Sequence, residues 1–172
     1  MIDFKQVFSE FNNKKVLIIG DAMIDAYMWG EINRMSPEAP VPIVEIKKHE
    51  TRLGGAANVA LNIQSLEAKP ILCSVIGDDL HGNLFFDLMH KSNLSTEGIL
   101  ISKKRRTTLK TRVIANEKHQ LRVDEEETKP IQLENKFIKK IKDQISSCDV
   151  VILQDYNKGT LTKNVIKEVI AK

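Results

Sequence analysis

Three short stretches of the chain are apolar almost without a break: Val16-Leu17-Ile18-Ile19, Ile71-Leu72-Cys73-Ser74-Val75-Ile76 and Val150-Val151-Ile152-Leu153. Continuous apolarity over so few residues predicts strands buried on both faces, as in a parallel sheet. Helical spacing fills the intervals. Ala56, Val59, Ala60 and Ile63 fall on one helix face, and Leu84, Phe85, Leu88 and Met89 on a second. Phe137, Ile138, Ile141 and Ile145 make a third, and Val165, Ile166, Val169 and Ile170 a fourth. Alternating strands and helices predict an α/β domain, a layered αβα sheet with helices on both faces.

Other segments alternate with period two. Val44-Glu45-Ile46-Lys47 and Leu109-Lys110-Thr111-Arg112-Val113 do so, and Ala26-Tyr27-Met28-Trp29 and Gln120-Leu121-Arg122-Val123 can join them. Alternation means that one face packs and the other meets solvent or ligand. These segments, near residues 26–50 and 107–124, predict a small one-sided sheet standing off the main body. Its apolar face is expected to serve as a lid over a site, a dimer surface, or both. Pro37, Pro40 and Pro42 stiffen the approach to one of its strands.

Composition narrows the class. The 172 residues suit one domain, or one domain with a small appendage, and a real core is expected. A net charge of +3 is too small to argue for nucleic acid. Basic residues do gather at Lys103-Lys104-Arg105-Arg106 and again at Lys110 and Arg112, which reads as a solvated loop and strand face or as attraction for an anionic ligand. Cys73 and Cys148 each sit in an apolar setting without a CxxC partner, and read as buried free thiols of a reducing compartment. The four histidines show no metal-ligand spacing, so no metal site is expected. MIDFKQVFSEF is acidic and amphipathic rather than a signal peptide, and no apolar run approaches a membrane span. A cytoplasmic protein is expected.

Each buried strand ends in polar residues: Gly20-Asp21 with Asp25 soon after, Gly77-Asp78-Asp79, and Gln154-Asp155-Tyr156-Asn157-Lys158-Gly159. Ligands of open α/β sheets bind outside the carboxyl ends of the strands, so these groups are candidates for one shared rim. Asp78 and Asp79 read better as turn or helix-capping residues. Asp25 lies within apolar MIDAYMW, where a carboxylate needs a partner.

The stretch Arg52 to Ile63, RLGGAANVALNI, adds two glycines at a helix start. Gly54 and Gly55 lack Cβ, which allows close backbone approach and unusual φ values. The following helix offers free N–H groups and a partial positive end. Asn58 then supplies a donor and an acceptor, as gripping a hydroxyl requires. A carboxylate such as Asp25 accepts from neighbouring hydroxyls, and the combination suits a sugar. The alternative is a plain tight turn before a helix. A dinucleotide site is excluded, because GxGxxG does not follow the first strand, and the phosphate loop GxxxxGK[ST] is absent.

GGAANVALNIQSLEAKPILCSVIGDDLHG, from Gly54 to Gly82, resembles the first signature of ribokinase-type carbohydrate kinases. GDAMIDAYMWG, INRMSPEAPVPIVE, LRVDEE and LQDYNKG are similar to stretches of the heptose 7-phosphate kinase branch. The resemblance implies a ribokinase-like fold with a protruding β lid. It implies that Asp25, Gly54, Gly55 and Asn58 hold sugar hydroxyls, with Asp155 near the sugar and the metal-nucleotide region. Lys158 and Arg34 are its candidates for the sugar phosphate, joined by Arg112 or Arg122 from the lid.

The resemblance also implies ATP and Mg2+ for an intact enzyme and a small sugar phosphate as ligand. The exposed sheet face and an unpaired strand edge of a half domain lead us to expect self-association, a homodimer through the lid or a contact through that edge. Family enzymes are about twice this length, and their DTxGAGD-type segment, which carries the catalytic base, does not occur between Met1 and Lys172. The expectation is therefore the N-terminal half of a kinase domain, without its ATP-binding half. Such a half binds no nucleotide tightly and has little activity alone. Another ribokinase-type sugar kinase, or a non-catalytic module that binds a sugar phosphate or dimerises, is the alternative.

Overall fold

The computed structural model describes residues 4–172, so the first residues of the amphipathic N-terminal stretch lie outside the description. In chain order the elements are α1 (Phe4–Ser9), β1 (Lys15–Gly20), β2 (Ala22–Met35), β3 (Pro42–Gly55) and α2 (Ala56–Ser65). Then come β4 (Lys69–Gly77), α3 (Leu80–Lys91), β5 (Ile99–Ser102), β6 (Leu109–Ala115) and β7 (Lys118–Glu125). The last are α4 (Glu134–Ile145), β8 (Val150–Gln154) and α5 (Lys163–Ile170). Among the described residues no helix is long and apolar enough to cross a membrane.

The strands form two sheets. One is parallel, in the order β5-β4-β1-β8. Its side chains divide by parity. Val16, Ile18, Leu72 and Ile76 pack with Phe85 and Met89 of α3 and Ala56, Ala57 and Ala60 of α2. Leu17, Ile19, Cys73 and Val75 pack on the other side with Phe137 and Ile141 of α4 and Val165 and Val169 of α5. Strands covered on both faces need apolar residues at every position, which is why β1 and β4 read as unbroken runs.

β8 departs from that rule. Its apolar run predicts burial on both faces, yet Val150, Val151 and Leu153 are 48%, 36% and 37% exposed. The strand pairs with β1 on one side only and forms the edge of the sheet, which leaves its outer side open. Cys148 is likewise only half-buried, against the expectation of a buried thiol. It sits where α4 runs out, its Sγ donating to the Gln144 carbonyl.

The second sheet has the order β3-β2-β6-β7, with β2 and β6 parallel and the outer pairs antiparallel. Its root belongs to the core: Ile24, Leu53 and Leu109 are buried. Farther out the strands lose cover, and β7 is exposed along nearly its whole length. The period-two segments thus fall in this sheet, whose strands run longer than the alternation alone marks.

Candidate functional site

Where the outlying sheet leaves the body, a cleft of about 370 Å³ is lined by Met23, Asp25, Gly55, Asn58, Lys110, Arg112, Arg122, Tyr156 and Lys158. Topology explains the meeting. β1 ends at Gly20 and β8 at Gln154, side by side in register, so both following loops start from one rim. β2 leaves that rim carrying Asp25, and β6 runs parallel beside it with Lys110 opposite Asp25. β3 returns to the rim and hands over to α2 at Gly55.

The two glycines play different parts. Gly55 has φ 58, a left-handed value that strains any side chain, and a Cβ there would overlap the Asp21 carbonyl. That carbonyl accepts the Ala56 N–H at 2.9 Å, and no side chain caps α2. Gly54 has ordinary backbone, and a Cβ on it would overlap the Asp25 carboxylate. The place of a Cβ at Gly54 is thus taken by the Asp25 carboxylate. Asn58, in the first turn of α2, is exposed at the cleft.

Asp25 finds the partner its apolar setting demanded. Arg112 Nη1 donates to its Oδ1 at 2.6 Å, with both side chains about four-fifths buried. Burial works against the Arg112 charge, but the hydrogen bond and charge of Asp25, helped by Tyr27 and Asp124, outweigh it and raise the pKa. Arg112 and Arg52 both lie 5.2 Å from the centre of the Tyr27 ring. Tyr27 in turn stacks on Trp29, which places Asp25, Tyr27 and Trp29 along one face of β2.

Lys158 is fixed through its backbone. The Asp21 carboxylate, 1% exposed, accepts the N–H groups of Tyr156, Lys158 and Thr160 at 2.9, 3.0 and 3.1 Å. From the other side, Arg105 Nη2 donates to the Lys158 carbonyl at 2.8 Å. Charged side chains thus hold both peptide groups that flank Lys158. Burial lowers the Arg105 pKa, while Asp21 and then Glu127 oppose that shift. Of the basic run at 103–106, Arg105 therefore turns inward as a loop anchor, whereas Lys103, Lys104 and Arg106 stay exposed.

Two expected residues do not reach the cleft. Asp155 is exposed, and its Oδ1 accepts the Asn157 N–H at 2.7 Å in a local turn. Arg34 pairs with Ile43 at the outer end of β2 and is exposed. It lies nine positions along the strand from Asp25, about 30 Å at the rise of a β-strand. Asp79 caps α3, accepting the Gly82 N–H at 2.7 Å and the Thr107 N–H at 2.8 Å, as the capping reading expects.

The cleft also holds Lys110, from the second basic grouping, and Tyr156, from the polar run after the third apolar strand. The signal for Lys110 was present, since it lies two residues from Arg112 on one face of an alternating strand. Among the described residues no three His, Cys, Asp or Glu side chains gather as a metal site, so no residue here is assigned to Mg2+ or to the nucleotide.

Comparison with known proteins bears on what this cleft serves. Residues 13–171 match the model of the pfkB family carbohydrate kinases. Bifunctional protein HldE of Helicobacter pylori strain J99 is 50% identical over 150 residues, covering 86% of this chain and 32% of that protein. The chain thus spans about a third of the length of the curated relatives it matches. A putative phosphofructokinase from Staphylococcus aureus superposes with a TM-score of 0.71 at 12% identity, over 91% of this chain and 48% of the other. A ribokinase from Arabidopsis thaliana, solved with ribose and ATP, gives 0.54 at 16% identity, over 83% and 45%. At these identities the two structures speak for the fold.

Proposed function

Since the chain belongs to the pfkB family of carbohydrate kinases, we propose that its cleft holds the sugar phosphate of an ATP-dependent heptose 7-phosphate kinase. The observation that carries the reading is the convergence of Asp25 and Asn58 with Lys158, Arg112 and Arg122 around one opening. The first pair suits hydroxyl groups, and the cations suit a phosphate. The choice of heptose rests on the SPEAPVP and DYNKG stretches and on the 50% identity to HldE.

The proposed reaction transfers the γ-phosphoryl group of ATP to the anomeric hydroxyl, giving the 1,7-bisphosphate and ADP. ATP with its metal supplies that group. The residues of this chain do the positioning: Asp25 and Asn58 orient the sugar, the cations hold its 7-phosphate, and the outlying sheet shields the sugar from water. No DTxGAGD-type segment lies within the 172 residues, so none of them is assigned the base. The chain by itself is expected to bind the sugar phosphate without appreciable turnover.

We assign the outlying sheet a second role, as the contact with another copy of the chain. Leu121 and Val123 of β7 are 58% and 46% exposed, an apolar surface that a lid alone leaves bare. Light scattering that shows a clean monomer at high concentration would remove this part. The cytoplasm is the compartment the reading assigns, because ATP is its phosphoryl donor.

Calorimetric titration tests the function. Heptose 7-phosphate is expected to bind, unphosphorylated heptose more weakly, and ATP alone to give no tight binding. Binding of neither sugar would leave a scaffold without this ligand.

A further inference from the structure

All four cations of the cleft are already matched to carboxylates of the chain. Arg112 meets Asp25, and Arg122 meets Asp124 at 2.9 Å. Lys110 meets both Asp124 and Glu126, at 2.8 and 2.9 Å, and Lys158 meets Glu126 at 2.9 Å. Glu126 does not line the cleft, yet its two oxygens are divided between two lysines that do. One carboxylate therefore holds two ammonium groups together.

The bridge is sheltered. The side chains of Lys110 and Lys158 are 13% and 14% exposed and that of Glu126 is 24% exposed, so solvent and salt screen the contacts less than at an open surface. Lys158 and then Lys110 hold the Glu126 carboxyl below its ordinary pKa, which keeps it ionised at neutral pH. A phosphate monoester also offers paired oxygens to two ammonium groups, which makes Glu126 a carboxylate stand-in for the ligand's anion.

Resting on the sugar-phosphate reading, we propose that Glu126 is a specificity-determining residue, the internal competitor that decides which anions the two lysines accept. A free phosphate ion must displace the carboxylate unaided. A phosphate carried on a sugar already held by Asp25 and Asn58 arrives at a high effective concentration and displaces it readily. The cleft thus rejects loose anions while accepting the same group on the right carrier. Discrimination comes from a built-in rival as much as from attraction.

The test is calorimetric titration of the wild-type chain and Glu126→Gln with inorganic phosphate and with heptose 7-phosphate. Glutamine keeps the shape and removes the charge. The variant is expected to bind inorganic phosphate roughly tenfold tighter, with a smaller change for heptose 7-phosphate. Adding Lys158→Met to the variant is expected to cancel the gain. Unchanged or weaker phosphate binding by Glu126→Gln overturns the proposal, as does a gain that survives loss of Lys158. Failure of the wild-type chain to bind heptose 7-phosphate sinks the functional reading instead, and the phosphate comparison still decides the role of Glu126.

Discussion

The parallel sheet lies between two apolar clusters, whereas the second sheet joins them only at its root and is exposed along β7. The contrast shows what each kind of pattern can specify. Unbroken apolar runs commit β1 and β4 to the interior, and packing supplies their stability. Alternation in β6 fixes which side chains share a face, but charge pairs such as Lys110 with Asp124 organise that face. The body is held by burial, and the cleft side of the outlying sheet by matched charge.

The sharpest way to break this contrast is to remove one side chain from each region. Phe137→Ala empties a fully buried site and is expected to cost roughly 3–5 kcal/mol in urea unfolding. Leu121→Ala, at an exposed position of β7, is expected to stay within about 0.5 kcal/mol. Comparable losses would mean that the outlying sheet is packed as firmly as the body.

Asp21 tests the seam between the regions. Asp21→Asn leaves three loop N–H groups facing a neutral amide, and is expected to lower stability by about 2 kcal/mol. It should also weaken heptose 7-phosphate binding more than heptose binding, because Lys158 loses its anchor. Equal weakening of both ligands would confine Asp21 to a structural role.

pH acts in opposite directions on Cys73 of the body and on the paired carboxylates of the outlying sheet. Burial pushes the Cys73 thiol up to about 12, so the body's contribution from this group is intact below the ordinary value of 9.0 and is lost as pH climbs toward 12. In the outlying sheet, Lys110 holds Asp124 below its usual carboxyl range, and Lys158 and Lys110 do the same for Glu126. Their contribution is present above the ordinary carboxyl values and lost as pH falls through the lowered ones. Trp29, the single tryptophan, sits in β2 and reports the sheet separately. Its emission should move to longer wavelength in acid before the helical circular dichroism changes. Simultaneous loss of both signals would contradict the separation.

The smallest expected effect lies within the body. Asp79→Ala removes the cap of α3 and should cost about 1 kcal/mol in thermal unfolding, without altering sugar binding.

Much of this arrangement was legible in the sequence. The parity of Val16 to Ile19, the four helix faces and the period-two strands all rest on local spacing. So do Asp25, Asn58 and Lys158, which lie at strand ends or at a helix start. What escaped depends on contacts distant along the chain. Asp21 reads as one more strand-end carboxylate until the loop at 156–160 folds over it. Glu126 closes the LRVDEE stretch, but its role comes from Lys110 and Lys158 on other segments. The exposure of β8 was hidden because an apolar run states what a strand prefers, not whether a neighbour covers it. Arg34 and Asp155 were named from their motifs, and neither lines the cleft.

Trp29 gives the most direct test of the joint cleft, because it shares a strand face with Asp25 and stacks on Tyr27 beside Arg112. Titrating heptose 7-phosphate into the wild-type chain should produce a saturable change in its emission, and Asp25→Ala should abolish that change while leaving the circular dichroism intact. A flat emission trace together with no heat of binding in the wild-type chain would contradict the account.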